Sequence, residues 1–347
     1  LNVLIFLCAV LVSPLAGHFF NNPSVVPIIA IMASNLIWTS IRAVPDALMN
    51  KELSFQKMVM PEVIPVGVGS IIGIAMAYQG FGVWSLVARS LIVSVGGMLL
   101  IWPYTRYRPT FQFDRSIAHD LLKYGRHIIG SSVVMVAVYN IDKFFISKLI
   151  GVGALGIYAL ASNIANLPIS QFGHIVCRLM FPVFSRMNRD VSVLRPAFLK
   201  TIRYTACITF PMSIGIAMYG PDAIAVLYGD KWSAAALPLQ FLAVYALFRS
   251  LSVVIYEMFK ATGRPDLMQL YVVIRLVLIG ALGIPVITQY GLVGICGLVA
   301  LVNGIVFAFE ARRVAGYLAI SLSEFLRVLS LPLFASIMFI PAIYWAV

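Results

Sequence analysis

Five basic residues stand where a charge is costly. Arg89, Lys143 and Arg275 fall inside long apolar runs, and Arg42 and Arg249 end two others. An ionised side chain at membrane depth is rare and usually faces a cavity or a partner. A guanidinium presents a fork of donors that suits a phosphate, and an ammonium presents a compact point charge. Such a set could lower the cost of taking an anion past hydrocarbon. Each residue also has a plainer reading. Arg89 follows Gly82 by seven residues, about 10 Å of helix, which leaves it within snorkelling reach of the headgroups. Arg42 and Arg249 sit where the charge topology of a membrane protein would put them anyway.

The remaining polar candidates are acids and amides in the same kind of run. Asp142 adjoins Lys143, so the two point about 100° apart on a helix and do not simply pair. Asp142 reads as a cation or proton site, and Lys143 as a phosphate or sugar contact; Asn140 and Lys148 lie nearby. Asn163 and Asn166, three residues apart, share a helix face and suit either a cavity wall or a bond to another helix. Pro168 predicts a kink beyond them, followed by Gln171 and His174; the latter reads as a packing residue. Glu257 and Arg275 flank one connection. They read as a pair that closes one side of a cavity, or as a structural pair.

These residues need elements long enough to hold them at depth, and the composition supplies only one kind. Apolar residues make up 61% of the 347 and charged residues 11%, with a mean hydropathy of +0.96. A soluble domain carries roughly 25% charge, so this chain has too little polar surface to face water. Apolar runs of about 20 residues match helices that cross ~30 Å; the strict alternation of barrel strands is missing. We expect an all-α, polytopic membrane protein with about eleven spans: 1–20, 25–43, 59–78, 82–102, 122–149, 154–176, 201–219, 236–258, 268–288, 291–310 and 326–347. Leu1–Phe20 lacks the charged start of a signal peptide. Cys8, Cys177, Cys207 and Cys296 show no metal-ligand spacing or disulfide framework and read as small apolar residues. No HExxH, GxxxxGK[ST] or GxSxG occurs, so neither catalysis nor ATP-driven pumping is expected, and no metal or other cofactor.

Charge alternates between connections. Five of them, 42–62, 103–127, 177–203, 249–267 and 310–327, hold 20 of the 25 Lys and Arg. The opposite set holds Lys143, Lys148 and Lys231. The positive-inside rule then places the basic loops in the cytoplasm. This accounts for the net charge of +12 through anionic headgroups. Nucleic acid is not an expected partner, because the charges are dispersed over five loops.

Three stretches open apolar runs in nearly the same way: GVWSLVA at Gly82, GIYALAS at Gly156 and GICGLVA at Gly294. We read each glycine as the positive-φ residue of a tight outer turn, with Trp84 and Tyr158 at the interface. Gly82 and Gly294 are 212 residues apart, and each is preceded by an apolar span and a basic loop. This points to a parallel internal duplication. At the same offset, the partner of Gly156 would precede Leu1. The expected organisation is four spans of an N-terminal lobe in 1–110, with about two more upstream; six spans of a C-terminal lobe in 111–315; and an additional span in 316–347, cut at its end.

Several stretches carry a resemblance: RAVPDALMNKELSFQK (Arg42–Lys57), QGFGVWSLVAR (Gln79–Arg89), YNIDKFFISKLIGVGALGIYALASNIANLP (Tyr139–Pro168), LMFPVFSRM (Leu179–Met187) and ATGRPDL (Ala261–Leu267). They resemble the polysaccharide-transporter flippases of the multidrug/oligosaccharidyl-lipid/polysaccharide exporter superfamily, in the branch linked to colanic and teichuronic acid export. The resemblance implies two pseudo-symmetric helical lobes around a central cavity in a bacterial inner membrane. It further implies movement of a polyprenyl-pyrophosphate-linked oligosaccharide between leaflets, with polysaccharide polymerase and export machinery as partners. Without an ATP-binding loop, the expected energy source is an ion gradient, with H+ or Na+ as coupling ion, or trapping of the substrate outside. The alternative within the superfamily is an ion-coupled multidrug antiporter, which would favour acidic cavity residues. The within-span charges here lean basic, which favours an anionic substrate.

Overall fold

In the computed structural model the described residues are 2–19, 22–51, 55–105, 136–137, 140–188 and 190–346. They form two compact units, 1–122 and 123–347. Most of the expected fifth span, 122–149, lies outside the described residues. Its end is a helix, α6, at 140–149.

The first unit contains α1 (Asn2–Phe19), α2 (Val25–Ala33), α3 (Asn35–Lys51), α4 (Phe55–Tyr78) and α5 (Val83–Ile101). Ser34 interrupts α2 and α3 for one residue while its Oγ bonds the Ile31 carbonyl at 2.7 Å. α4 and α5 form a hairpin through Gly80 (φ +86°) and Gly82 (φ +53°). Below that turn they approach closely, because Gly69 and Gly73 occupy one face of α4. A methyl group at Gly69 would lie 3.1 Å from the Arg89 carbonyl oxygen, and one at Gly73 3.3 Å from that of Ser85. Small residues substitute for a hydrophobic drive that lipid does not provide.

The second unit contains α6, α7 (Val152–Ala165), a π turn (Ile169–Gly173), α8 (His174–Met187), α9 (Val191–Tyr228), α10 (Ala236–Ala261), α11 (Pro265–Tyr317) and α12 (Leu322–Ala346). The Pro168 region breaks the expected sixth span: α7 stops at Ala165, where Asn166 Nδ2 donates to the Ser162 carbonyl at 2.7 Å. Proline lacks the N–H that would continue the ladder. Asp190 caps α9 by accepting from Ser192 Oγ (2.6 Å) and Ser192 N (2.9 Å). These two bonds, the side-chain one first, lower its pKa below the ordinary carboxylate value. Arg195 of α9 pairs with Glu324 of α12.

α10 is the axis of this unit. It packs on α7, α8, α9 and α11, and most of its residues from Leu242 to Phe259 are buried. A helix apolar on every side belongs at the centre of a bundle. α11 is two helices: at Gly291, φ +60° and ψ −144° fold the chain back, giving arms 265–290 and 292–317.

The turn chemistry corrects the reading of the repeats. Gly82 does hold a positive φ. Gly156 and Gly294 are helical, and the turns that precede them use Gly151 (φ +119°) and Gly291 instead. Gly294 is required by crowding: a methyl there would lie 2.5 Å from Tyr290 Cβ and 3.1 Å from the Val286 carbonyl oxygen. Nothing lies within 4 Å of a methyl at Gly156. Trp84 is exposed, whereas Tyr158 is 2% exposed and does not reach an interface.

Seven helices among the described residues are long and apolar enough to cross a membrane, with α2–α3 counted as one and α11 as one. Their outer faces expose Leu11, Leu15, Ile71, Leu86, Val277, Leu301 and Phe309, among others. Apolar surface on this scale needs lipid rather than water as solvent.

Candidate functional site

Within the second unit, α6, α7, α10 and both arms of α11 enclose a cavity of about 250 Å³. The sequence explains why it is polar. Arg249, Ser252 and Tyr256 form one stripe of α10 at helical spacing. Asn303 and Glu310 lie seven apart on the second arm, and Arg275 faces them from the first. Asp142 and Lys143 come from α6, and Tyr158, Ser162 and Asn166 from α7. Tyr245, Arg249, Arg275 and Asn303 complete the polar lining.

The α11 side is a closed network. Arg275 Nη2 lies 3.0 Å from Glu310 Oε1. Tyr256 donates its hydroxyl to the same oxygen at 2.8 Å, and Ser252 Oγ donates to Oε2 at 2.7 Å. Arg275 in turn donates to the hydroxyls of Tyr256 and Ser252. The Tyr256 ring lies beneath two guanidiniums, Arg249 at 5.4 Å and Arg275 at 5.7 Å, which favours both cations. Glu310 is wholly buried and Arg275 nearly so. The pair holds because each charge is met by the other and by hydroxyl groups. On α11, Arg275 Nε and Asn303 Oδ1 are buried without a hydrogen-bond partner among the described residues, and both residues line the cavity.

The α6 side carries one charge of each sign. Tyr158 donates its hydroxyl to Asp142, and Lys143 Nζ donates to Asn140 Oδ1 at 3.0 Å. The lining therefore holds three cations, Lys143, Arg249 and Arg275, against Asp142, with Glu310 behind Arg275. The sum stays positive. The site can attract an anion, and Asp142 can hold a proton or a small cation beside it. Among the described residues no group of three His, Cys, Asp or Glu could hold a metal ion.

The structure brings together five residues singled out from the sequence: Asp142, Lys143, Asn166, Arg249 and Arg275. Asn140 supports Lys143 from outside the lining. Asn163 points elsewhere and is exposed. Two expectations are corrected. Arg249 does not end a span; it is in the middle of α10, with its charge turned to the cavity. Arg275 does not pair with Glu257. Glu257 bonds Lys260 on its own helix at 2.5 Å, and the partner of Arg275 is Glu310, which sequence had assigned to a basic connection. The second arm runs on to Tyr317, so Glu310 lies well inside it. Tyr256, Ser252 and Asn303 were overlooked, and Tyr158 was assigned to an interface. Polar residues at 3–4–7 spacing in an otherwise apolar helix are the signal that would have found them.

In the first unit, Arg42 bonds Asp46 at 2.8 Å and approaches Glu62 at 4.0 Å. Arg89 is exposed, and its Nε donates to Ser70 at 3.2 Å. The described side chain of Gln171 is exposed; that of His174 lies outside the described residues.

The described residues form an all-helical, multi-pass membrane fold with a buried cationic cavity in one helical unit, which places the chain among polytopic helical membrane proteins. The chain belongs to the polysaccharide biosynthesis protein family, which matches residues 1–238. It is 27% identical over 269 residues to the lipopolysaccharide biosynthesis protein WzxC of Escherichia coli K12, covering 77% of this chain and 55% of that protein. It is 28% identical over 271 residues to the teichuronic acid biosynthesis protein TuaB of Bacillus subtilis 168, covering 77% and 56%. The chain thus spans about half the length of the curated relatives it matches. Its fold is similar to that of the lipid II flippase MurJ in an inward closed conformation, with a TM-score of 0.79 at 14% identity over 99% of this chain and 75% of that one. An inward-facing multidrug resistance MATE family transporter of the MOP superfamily gives a TM-score of 0.72 at 16% identity, covering 91% and 79%.

Proposed function

We propose that this protein acts in flipping a polyprenyl-pyrophosphate-linked oligosaccharide across a bacterial inner membrane, for assembly of an exported polysaccharide. The observation that carries this reading is the convergence of Lys143, Arg249 and Arg275 on one cavity inside a membrane-spanning unit. A pyrophosphate is the part of such a substrate that hydrocarbon rejects most strongly. Three cations in a low-dielectric pocket offset that cost, and the fork geometry of two arginines matches phosphate oxygens. At about 250 Å³ the cavity is near the lower end of ligand sites, ~300 Å³. It suits a headgroup-sized anion, while the sugars need a wider passage. WzxC, TuaB and MurJ carry names in polysaccharide or lipid II handling, which supports the same substrate class.

Asp142, held by Tyr158, is the candidate coupling site for H+ or Na+. The basic loops face the cytoplasm in this reading, and a polysaccharide polymerase and export machinery are the expected partners. A multidrug antiporter would want a net acidic pocket for cationic drugs; the positive balance here argues for an anion.

The test is a leaflet assay. Cells lacking their own flippase receive the gene in its full natural length, and polyprenyl-linked oligosaccharide in the outer leaflet is counted. Rescue that disappears with Lys143→Ala and Arg249→Ala supports the proposal. Absence of rescue with every polyprenyl-linked donor, together with ion-dependent efflux of a cationic dye, would replace it with the antiporter.

A further inference from the structure

A second concavity lies apart from the cavity, at the open end of the α11 hairpin. It measures about 600 Å³ and is walled by Arg264, Arg312, Arg313, Tyr271, Phe309 and Tyr317. The three arginines are exposed, and none of their guanidiniums has an ion-pair or hydrogen-bond partner among the described residues. They come from both ends of one hairpin: Arg264 caps the first arm, and Arg312 and Arg313 lie in the last two turns of the second.

The depth of these residues identifies the ligand. Each arm has about 26 residues, or ~39 Å at 1.5 Å per residue, and the hydrocarbon is ~30 Å thick. With Gly291 at one surface, the arginines reach the opposite headgroup layer. Tyr271 and Phe309 lie one to two turns deeper, where acyl chains begin. Phe309 is 60% exposed, and Leu301 and Ile305 continue an exposed apolar track below it. A cationic mouth above an aromatic and aliphatic track is complementary to an anion that carries a hydrocarbon tail. A free phosphate would use only the mouth. We propose that this cleft binds an anionic phospholipid, with its phosphate among Arg264, Arg312 and Arg313 and an acyl chain along Phe309.

The site also adjoins the cavity network. Tyr271 is one turn from Arg275, and Phe309 precedes Glu310, so a lipid bridging the two arms would brace the helices that hold that ion pair.

Native mass spectrometry of the purified protein, titrated with phosphatidylglycerol and phosphatidylcholine, tests this. Phosphatidylglycerol should bind at least tenfold more tightly. The triple variant R264Q/R312Q/R313Q should lose at least fivefold of that affinity, and the corresponding triple lysine variant should retain most of it. These side chains are exposed, so the variants should fold; unfolding temperature checks this, and phosphatidylcholine binding should be unaltered. Equal retention of the two lipids, or undiminished phosphatidylglycerol binding by the folded glutamine variant, would overturn the proposal. Competition by millimolar glycerol phosphate or inorganic phosphate would overturn it too, in favour of a free-anion site.

Discussion

Arg275 and Glu310 meet at 3.0 Å across the two arms of α11, both almost wholly removed from solvent. The pair joins residues 35 positions apart, and Tyr256 and Ser252 of α10 bond both members. It therefore fixes three helices around one wall of the cavity, and it holds a guanidinium at that wall with its charge only partly neutralised.

Breaking this pair from one side should be costly. Arg275→Met leaves Glu310 buried without its counter-charge, and Glu310→Gln does the reverse; each should cost about 3 kcal/mol. The double variant Arg275→Met/Glu310→Leu should recover most of that stability, yet fail in transport. Thermal unfolding of the purified proteins beside the leaflet assay checks both halves. By contrast, Glu257→Gln should cost about 1 kcal/mol or less, since it disturbs only a local pair with half-exposed Lys260.

The other two cations of the cavity should govern transport with little effect on folding. A bond to a charged group contributes about 1.5–3 kcal/mol, so Lys143→Ala and Arg249→Ala should each weaken substrate handling at least tenfold. Membrane insertion should be unchanged. Arg89→Ala in the same assay reports whether the first unit contributes a phosphate contact or only an interfacial anchor.

If Asp142 couples an ion to transport, Asp142→Asn should abolish the dependence of flipping on the ion gradient. Tyr158→Phe removes the hydroxyl that bonds Asp142 and should shift the ion concentration for half-maximal rate, with the protein still inserted. Identical gradient dependence in both variants would exclude Asp142 from coupling.

The glycines separate by mechanism. Gly151→Ala and Gly291→Ala force an L-residue into positive φ and should destabilise by about 1–3 kcal/mol. Gly294→Ala should cost a similar amount through overpacking, about 1–3 kcal/mol. Gly156→Ala, with open space and helical backbone, should be neutral or stabilising by up to about 1 kcal/mol. Unfolding temperatures of the four variants order these effects.

Helices, membrane solvent and the polar residues that lie at depth were legible in the chain alone. A 20-residue apolar run satisfies its own backbone only as a helix in lipid, and a charge within it is conspicuous against its neighbours. Asp142, Lys143, Asn166 and Arg275 were found in this way, whereas Arg249 was read at the end of a span. Their company was not. Arg275 chose Glu310 over Glu257 because α11 folds back at Gly291 and brings the second arm against the first; sequence distance favoured the nearer acid. Tyr158 became a cavity residue because α7 turns that face onto α6, although its position after a turn suggested an interface. Local spacing decides which residues share a helix face. Which face meets which is decided by where glycine allows a reversal or a close crossing, and that is a property of the packed helices.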